Sequence, residues 1–187
     1  MILENLKNFE WYNEPENVTF GSHELEITAS SGTDFWQSEH HNFFKDNGHF
    51  FFCRKNADFG CVVKWRFENA TKYNQCGLML RTDSRNWFKI SVMSADEDNF
   101  EIGNSATHNG VSDWAGVRLL QRCDALWYKL VRHGDDYVAF YSTDGENFVR
   151  IRQFTLFSPD TEVKIGAYIC SPQNAGFKAT LDEIDFF

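Results

Sequence analysis

The chain has 187 residues and a formal net charge of −9, and 17% of it is aromatic, with Phe 19, Trp 6 and Tyr 6. The acidic balance, with no cluster of Lys and Arg, excludes a phosphate-tracking nucleic-acid binder, and no apolar run approaches the ~18 residues that cross a bilayer as a helix. Aromatic side chains favour pleated, half-buried surfaces and bury much area per residue, so one well-packed β domain spanning residues 1–187 is expected.

Met1-Ile-Leu-Glu-Asn-Leu-Lys7 has no basic leader followed by an apolar run, so no signal peptide is expected. Candidate strands then follow at short intervals: Leu25–Ala29, His49–Arg54, Gly60–Phe67, Cys76–Thr82 and Trp87–Met93, followed by Leu126–His133, Asp136–Ser142, Phe148–Phe154, Val163–Cys170 and Phe177–Phe187. Turn residues separate them and no stretch holds a helical period, which predicts an all-β sandwich. The five cysteines, Cys53, Cys61, Cys76, Cys123 and Cys170, are odd in number and form no C-x-x-C pair. Reduced thiols in the cytoplasm are the simplest reading, and the sequons at Asn17 and Asn69 are then chance matches.

Two neighbouring segments show the alternation well. Cys76, Leu78 and Leu80 point one way, while Gln75, Gly77, Met79 and Arg81 point the other. Phe88, Ile90 and Val92 form an apolar row opposite Trp87, Lys89, Ser91 and Met93. The short polar link Thr82-Asp-Ser-Arg-Asn86 predicts a hairpin between them. Their second faces combine an amide, two long cations and a tryptophan. Such a face either bears a ligand on the concave side of a sandwich or is a wet surface covered by Lys and Arg stems. A second hairpin is signalled by Asp144-Gly145 after Asp136–Ser142.

Several phrases carry a resemblance: Asn13-Glu-Pro15, Thr33-Asp-Phe-Trp36, Asp46-Asn-Gly-His-Phe-Phe51, Tyr73-Asn-Gln-Cys-Gly-Leu-Met-Leu-Arg81, Trp87-Phe-Lys89, Ser112-Asp-Trp114, Tyr141-Ser-Thr-Asp-Gly145 and Cys170-Ser-Pro172. In this order, from about Asn13 to the end of the sequence, the chain resembles the DUF1349 family. These are concanavalin A-like proteins that include the fungal regulation-of-enolase proteins. The resemblance implies a concanavalin A-like jelly-roll sandwich of two antiparallel sheets. Carried over residue by residue, it marks Trp36, Gln75, Arg81, Trp87, Lys89, Ser112, Asp113 and Trp114 as candidate ligand-binding positions. Family members commonly place a Gly and then a Glu after the Trp-x-Lys phrase. Here the chain reads Ile90-Ser-Val-Met93, which puts in doubt any acid–base role there.

The chemistry of known site types narrows the choice. A glycosidase needs two carboxylates flanking the scissile bond, and the nearest imitation is Asp96-Glu-Asp-Asn-Phe-Glu101. Its crowded acids read as a solvated loop, and Asp182-Glu-Ile-Asp185 lacks a partner pattern. His40, His41 and His49 have no metal-ligand spacing, no calcium loop is present, and no cofactor is expected. Sugar binding has a more natural warrant. Trp36, Trp87 and Trp114 offer rings, Arg81, Lys89 and Gln75 offer donors, and Ser112 and Asp113 shape a rim. The expectation is therefore a cytoplasmic module that holds a saccharide or sugar acid without catalysis. The alternatives are an interaction protein that regulates a metabolic enzyme, or a glycan-active enzyme.

Overall fold

The computed structural model describes residues 6–38, 42–68, 71–94, 100–120, 123–173 and 176–187. After a 3-10 turn at Leu6–Asn8 come β1 (Glu10–Tyr12), β2 (Asn17–Phe20), β3 (Leu25–Ala29), β4 (Phe35–Ser38), β5 (Phe43–Asp46) and β6 (His49–Lys55). The middle of the chain forms β7 (Phe59–Phe67), β8 (Gln75–Asp83), β9 (Asn86–Ser94), β10 (Phe100–His108), β11 (Val111–Ser112) and β12 (Ala115–Arg118). The remainder forms β13 (Ala125–His133), β14 (Asp136–Ser142), β15 (Val149–Thr155), β16 (Val163–Cys170) and β17 (Phe177–Phe186).

These strands build an eight-stranded sheet, in the order β1-β6-β16-β8-β9-β10-β11 with β12 also on β10, and a seven-stranded sheet, β15-β14-β13-β7-β17-β3-β2. The two sheets pack as an antiparallel jelly-roll sandwich, as the strand pattern and the family resemblance implied. Each of the ten strands expected from the sequence is present, with bounds shifted by at most a residue or two. The two hairpins expected from the sequence, β8–β9 and β14–β15, both form as antiparallel pairs, each with one register shift.

Alternation decides which side chains enter the core. In β13 the inward Leu126, Tyr128 and Leu130 are buried and the outward Trp127, Lys129 and Val131 are not. Cys76, Leu78 and Leu80 meet this core from β8, and Phe88, Ile90 and Val92 from β9. Two hydrogen bonds cross between the layers: Trp65 Nε1 donates to the Gly77 carbonyl (2.9 Å), and the Val92 N–H donates to the Tyr128 hydroxyl (2.7 Å). Buried polar groups need such partners.

The eight-stranded sheet departs from a half-wet surface. Nearly every residue of β8 and β9 is buried on both faces. The cause is the hairpin β4–β5, an arm that lies against the face turned away from the core. It makes a second apolar cluster of Phe35, Phe50, Phe52, Met79, Trp87, Tyr168 and Cys170. All five cysteines are free thiols, four of them buried. Among the described residues, no helix is long and apolar enough to cross a membrane.

His49 ties the chain entering the arm to the sheet. Its Nε2 accepts from the Ser30 N–H (3.0 Å), so the proton sits on Nδ1, 2.5 Å from the Asn13 carbonyl. Burial, partly offset by the Asn13 bond, holds its pKa below the ordinary value. A folded state that keeps this imidazole neutral is fully stabilised above the unfolded pKa of about 6.5 and loses stability as pH falls below it. Thermal melts between pH 7 and pH 5 should show this decline in the parent and a flatter profile in His49→Gln, whose amide can donate and accept. Equal slopes would contradict the assignment.

Candidate functional site

Three cross-strand rows of β8, β9 and β10 define the face under the arm: Gly77, Ser91 and Gly103; Met79, Lys89 and Ser105; and Arg81, Trp87 and Thr107. Directly opposed residues in antiparallel strands share one face. The small residues of the first row leave the middle of the sheet without tall side chains.

The arm is clamped onto this face by its acids and its backbone. Asp46 on β5 forms a bidentate pair with Arg81, with Oδ1 2.5 Å from Nη1 and Oδ2 2.8 Å from Nη2. The guanidinium lies 4.4 Å from the Tyr12 ring centroid, and the Tyr12 hydroxyl donates to Asp46. Burial and the Asp46 carboxylate together push the Tyr12 pKa up. Lys89, only 1% exposed, donates to the Phe35 carbonyl at 2.7 Å and lies 3.5 Å from Asp34. Gln37 donates to the Ser84 carbonyl, and its own backbone N–H donates to Ser112 Oγ (3.0 Å).

Among the described residues, three buried polar atoms on this face have no hydrogen-bond partner: Trp87 Nε1, Ser91 Oγ and Ser105 Oγ. Such a group costs about 1–3 kcal/mol. Beside them, the Tyr168 hydroxyl donates to Gln75 Oε1 at 3.2 Å, and Gln75 Nε2 donates to the Tyr73 carbonyl. Burial raises the Tyr168 pKa strongly. The neighbouring Ser91 opposes that rise without reaching hydrogen-bond geometry, so its hydroxyl stays unpartnered.

Trp114 closes the β10 side. A Cβ on Gly103 would overlap its ring, lying 2.7 Å from Cε2 and nearer still to the outer carbons. Asp113 fixes the segment that carries it, accepting from the Ala106 N–H (2.7 Å) and from Arg152 Nη2 (2.8 Å). Burial alone would raise the Asp113 pKa, but these bonds outweigh it and hold the carboxyl below its usual range. Ser112 and Asp113 also line an open groove of about 420 Å³ that runs to Arg152 and Thr155. A wider groove at the β1–β6 edge, about 570 Å³, holds none of the unpartnered atoms.

Of the eight candidate positions, Gln75, Arg81, Trp87 and Lys89 therefore come together on one face, and Ser112, Asp113 and Trp114 sit together at its β10 side. Trp36 is on the arm, opposite Lys45 in register and on the side of β4 away from Phe35. Sequence reasoning missed the arm's Asp34 and Asp46, and Ser105 of β10. Ser105 had a readable signal, because Phe100, Ile102 and Ala106 fall on one alternate face of the strand and leave Ser105 on the other. The acidic run lies outside the described residues from Asp96 to Asn99, as do His40 and His41. Asp182 is ion-paired to Lys64 (3.1 Å) and Arg66 (2.7 Å) on the other sheet. Among the described residues no three metal-ligating side chains converge.

The family described as a protein of unknown function, DUF1349, matches residues 11–186. A curated relative from Saccharomyces cerevisiae, "Regulation of enolase protein 1", is 24% identical over 173 residues, covering 92% of this chain and 86% of the relative. The crystal structure of a functionally unknown protein from Saccharomyces cerevisiae superposes with a TM-score of 0.89 at 24% identity, with 97% of each chain covered. A GH43 protein from Bacillus licheniformis superposes with a TM-score of 0.68 at 14% identity, over 97% of this chain and 39% of its own. At these identities the likeness between structures shows the fold alone.

Proposed function

The chain belongs to the DUF1349 family, and from that premise we propose that it is a single-domain binding module that holds a carbohydrate or sugar acid, without catalysis, on the second face of its eight-stranded sheet. The observation that carries this reading is the set of unpartnered buried atoms, Trp87 Nε1, Ser91 Oγ and Ser105 Oγ, on the same face as Lys89. Native structures keep few such atoms, and a hydroxyl-rich ligand is suited to completing several of them at once. Aromatic walls from Trp87, Tyr168 and Trp114 match the mixed polar and apolar lining of small-molecule sites. In this reading Arg81 and Gln75 shape the site indirectly, through the arm and Tyr168. Ser112 and Asp113 position Trp114, and Trp36 belongs to the outer rim. The free thiols support a cytoplasmic setting.

Ser91→Ala and Ser105→Ala test it. Each removes a buried hydroxyl that has no partner, so each should stabilise the free protein by about 1 kcal/mol, measured by urea denaturation. Each should also diminish the melting shift that a saccharide or sugar acid gives the parent. If a broad panel of both classes leaves the parent's melting temperature unmoved, the reading fails.

A second reading, regulation of a metabolic enzyme by direct contact, is favoured by the exposed pair Phe43 (44%) and Phe44 (54%) on the arm and by the name of the yeast relative. A stoichiometric enzyme recovered by pull-down, and lost in Phe43→Ser/Phe44→Ser, would support it.

A further inference from the structure

Resting on the ligand-binding reading of this face, we infer that the group taken between Trp87, Lys89, Ser91 and Ser105 is a carboxylate, so that the ligand is a sugar acid and not a neutral sugar. The inference follows from which hydrogen-bonding capacity remains unused. The Trp87 indole N–H can only donate, and it has no partner. Lys89 carries three N–H donors, of which one is well used, at 2.7 Å on the Phe35 carbonyl, and the 3.5 Å approach to Asp34 is at the outer limit of a hydrogen bond. Ser91 and Ser105 add two hydroxyls free to donate.

The acceptors of the side chains around these donors are largely engaged. Gln75 Oε1 receives the Tyr168 hydroxyl, and Asp34 Oδ1 receives the Phe35 N–H at 2.8 Å. Both oxygens of Asp46 are held by Arg81, and Tyr12 takes one of them as well. The two serine hydroxyls can also accept, but the Trp87 N–H and the Lys89 ammonium only donate, so a sugar hydroxyl uses this set less fully than a group that only accepts. A carboxylate accepts only, and it gains most from charged donors.

The local charge points the same way. Arg81, Lys89 and Lys164, on β8, β9 and β16, face the arm's two acids, Asp34 and Asp46. Of these, Lys89 shares its cross-strand row with Ser105 and lies two residues from Ser91 along β9, so an anion there meets a charged donor. At Lys164, burial first, then the nearby Arg54 and Arg81, hold the pKa below the ordinary value against the opposing pull of Glu10 and Asp83. Trp114 gives the way in. Ser91 and Ser105 are fully buried, whereas this indole is partly exposed and lies on Gly103, the cross-strand neighbour of Ser91.

The test titrates the parent protein by calorimetry with glucuronate and galacturonate and with glucose and galactose, at matched ionic strength. One of the uronates should bind at least about tenfold more tightly than its neutral parent, a difference of about 1.4 kcal/mol. Ser91→Ala and Ser105→Ala, both folded by circular dichroism, should each weaken uronate binding by about tenfold. A neutral sugar binding as tightly as its acid overturns the carboxylate inference and leaves the binding reading standing. Uronate binding that ignores both serine variants also overturns it. No binding by any of the four, or by the wider panel, removes the binding reading itself.

Discussion

Asp46→Ala is expected to lower the unfolding free energy by about 3 kcal/mol, the lower end of the cost of stranding one member of a buried ion pair. Arg81 is 3% exposed and Asp46 supplies both oxygens of its bidentate bond, so the truncation leaves a guanidinium packed against Tyr12 and Phe35 with no carboxylate. Asp46 keeps some contact with water, which argues for the lower figure. Urea midpoints would measure the loss. The double substitution Asp46→Leu/Arg81→Met should recover most of it, since replacing a buried pair by apolar residues is often neutral or stabilising. A loss below about 1 kcal/mol, the scale of an exposed pair, would mean that the arm is held elsewhere. Arg81 and Trp87 look like ligand contacts from their own strands, yet a substitution at either first loosens the arm.

Gly77→Ala should be at least as damaging, at about 3 kcal/mol or more. A Cβ there would overlap the Ile90 carbonyl oxygen and fall 2.7 Å from Ser91 Cα, and both are backbone atoms of a central strand. Overpacking a close-packed interior costs about 1–3 kcal/mol when side chains can shift, and more when they cannot. Gly103→Ala gives the comparison. Its clash is with the Trp114 side chain, which is partly exposed, so about 1–2 kcal/mol is expected there. Equal losses for the two variants, measured by thermal or urea unfolding, would contradict the distinction between backbone and side-chain neighbours.

Alternation made much of the sandwich legible. Cys76, Leu78 and Leu80, and Phe88, Ile90 and Val92, were assigned to the core from spacing alone and lie in it. β10 was overlooked because Gly103, Asn104 and Ser105 have poor strand propensity, although cross-strand neighbours and Trp114 override that preference. The arm was invisible for a different reason. β4 and β5 are four residues each, too short to show a period, and their contacts are distant in sequence, as between Asp46 and Arg81. A polar face can be read from one strand, but what covers it cannot. So the gathering of Gln75, Arg81, Trp87 and Lys89 was foreseeable, while the burial that separates clamping groups from unpartnered ones was not.

The strand order also bears on how the molecule is made. β16 sits between β6 and β8, and β17 sits between β7 and β3, so the last two strands in chain order are interior strands of both sheets. Until they emerge from the ribosome, each sheet is split and four strand edges that will later be buried remain unpaired. Pairings between distant segments are slow to form, and unpaired edges recruit other chains. The nascent protein therefore passes its most aggregation-prone interval just before synthesis of this region finishes, and a chain stopped at Asp160 would have β-hairpins but no closed sandwich.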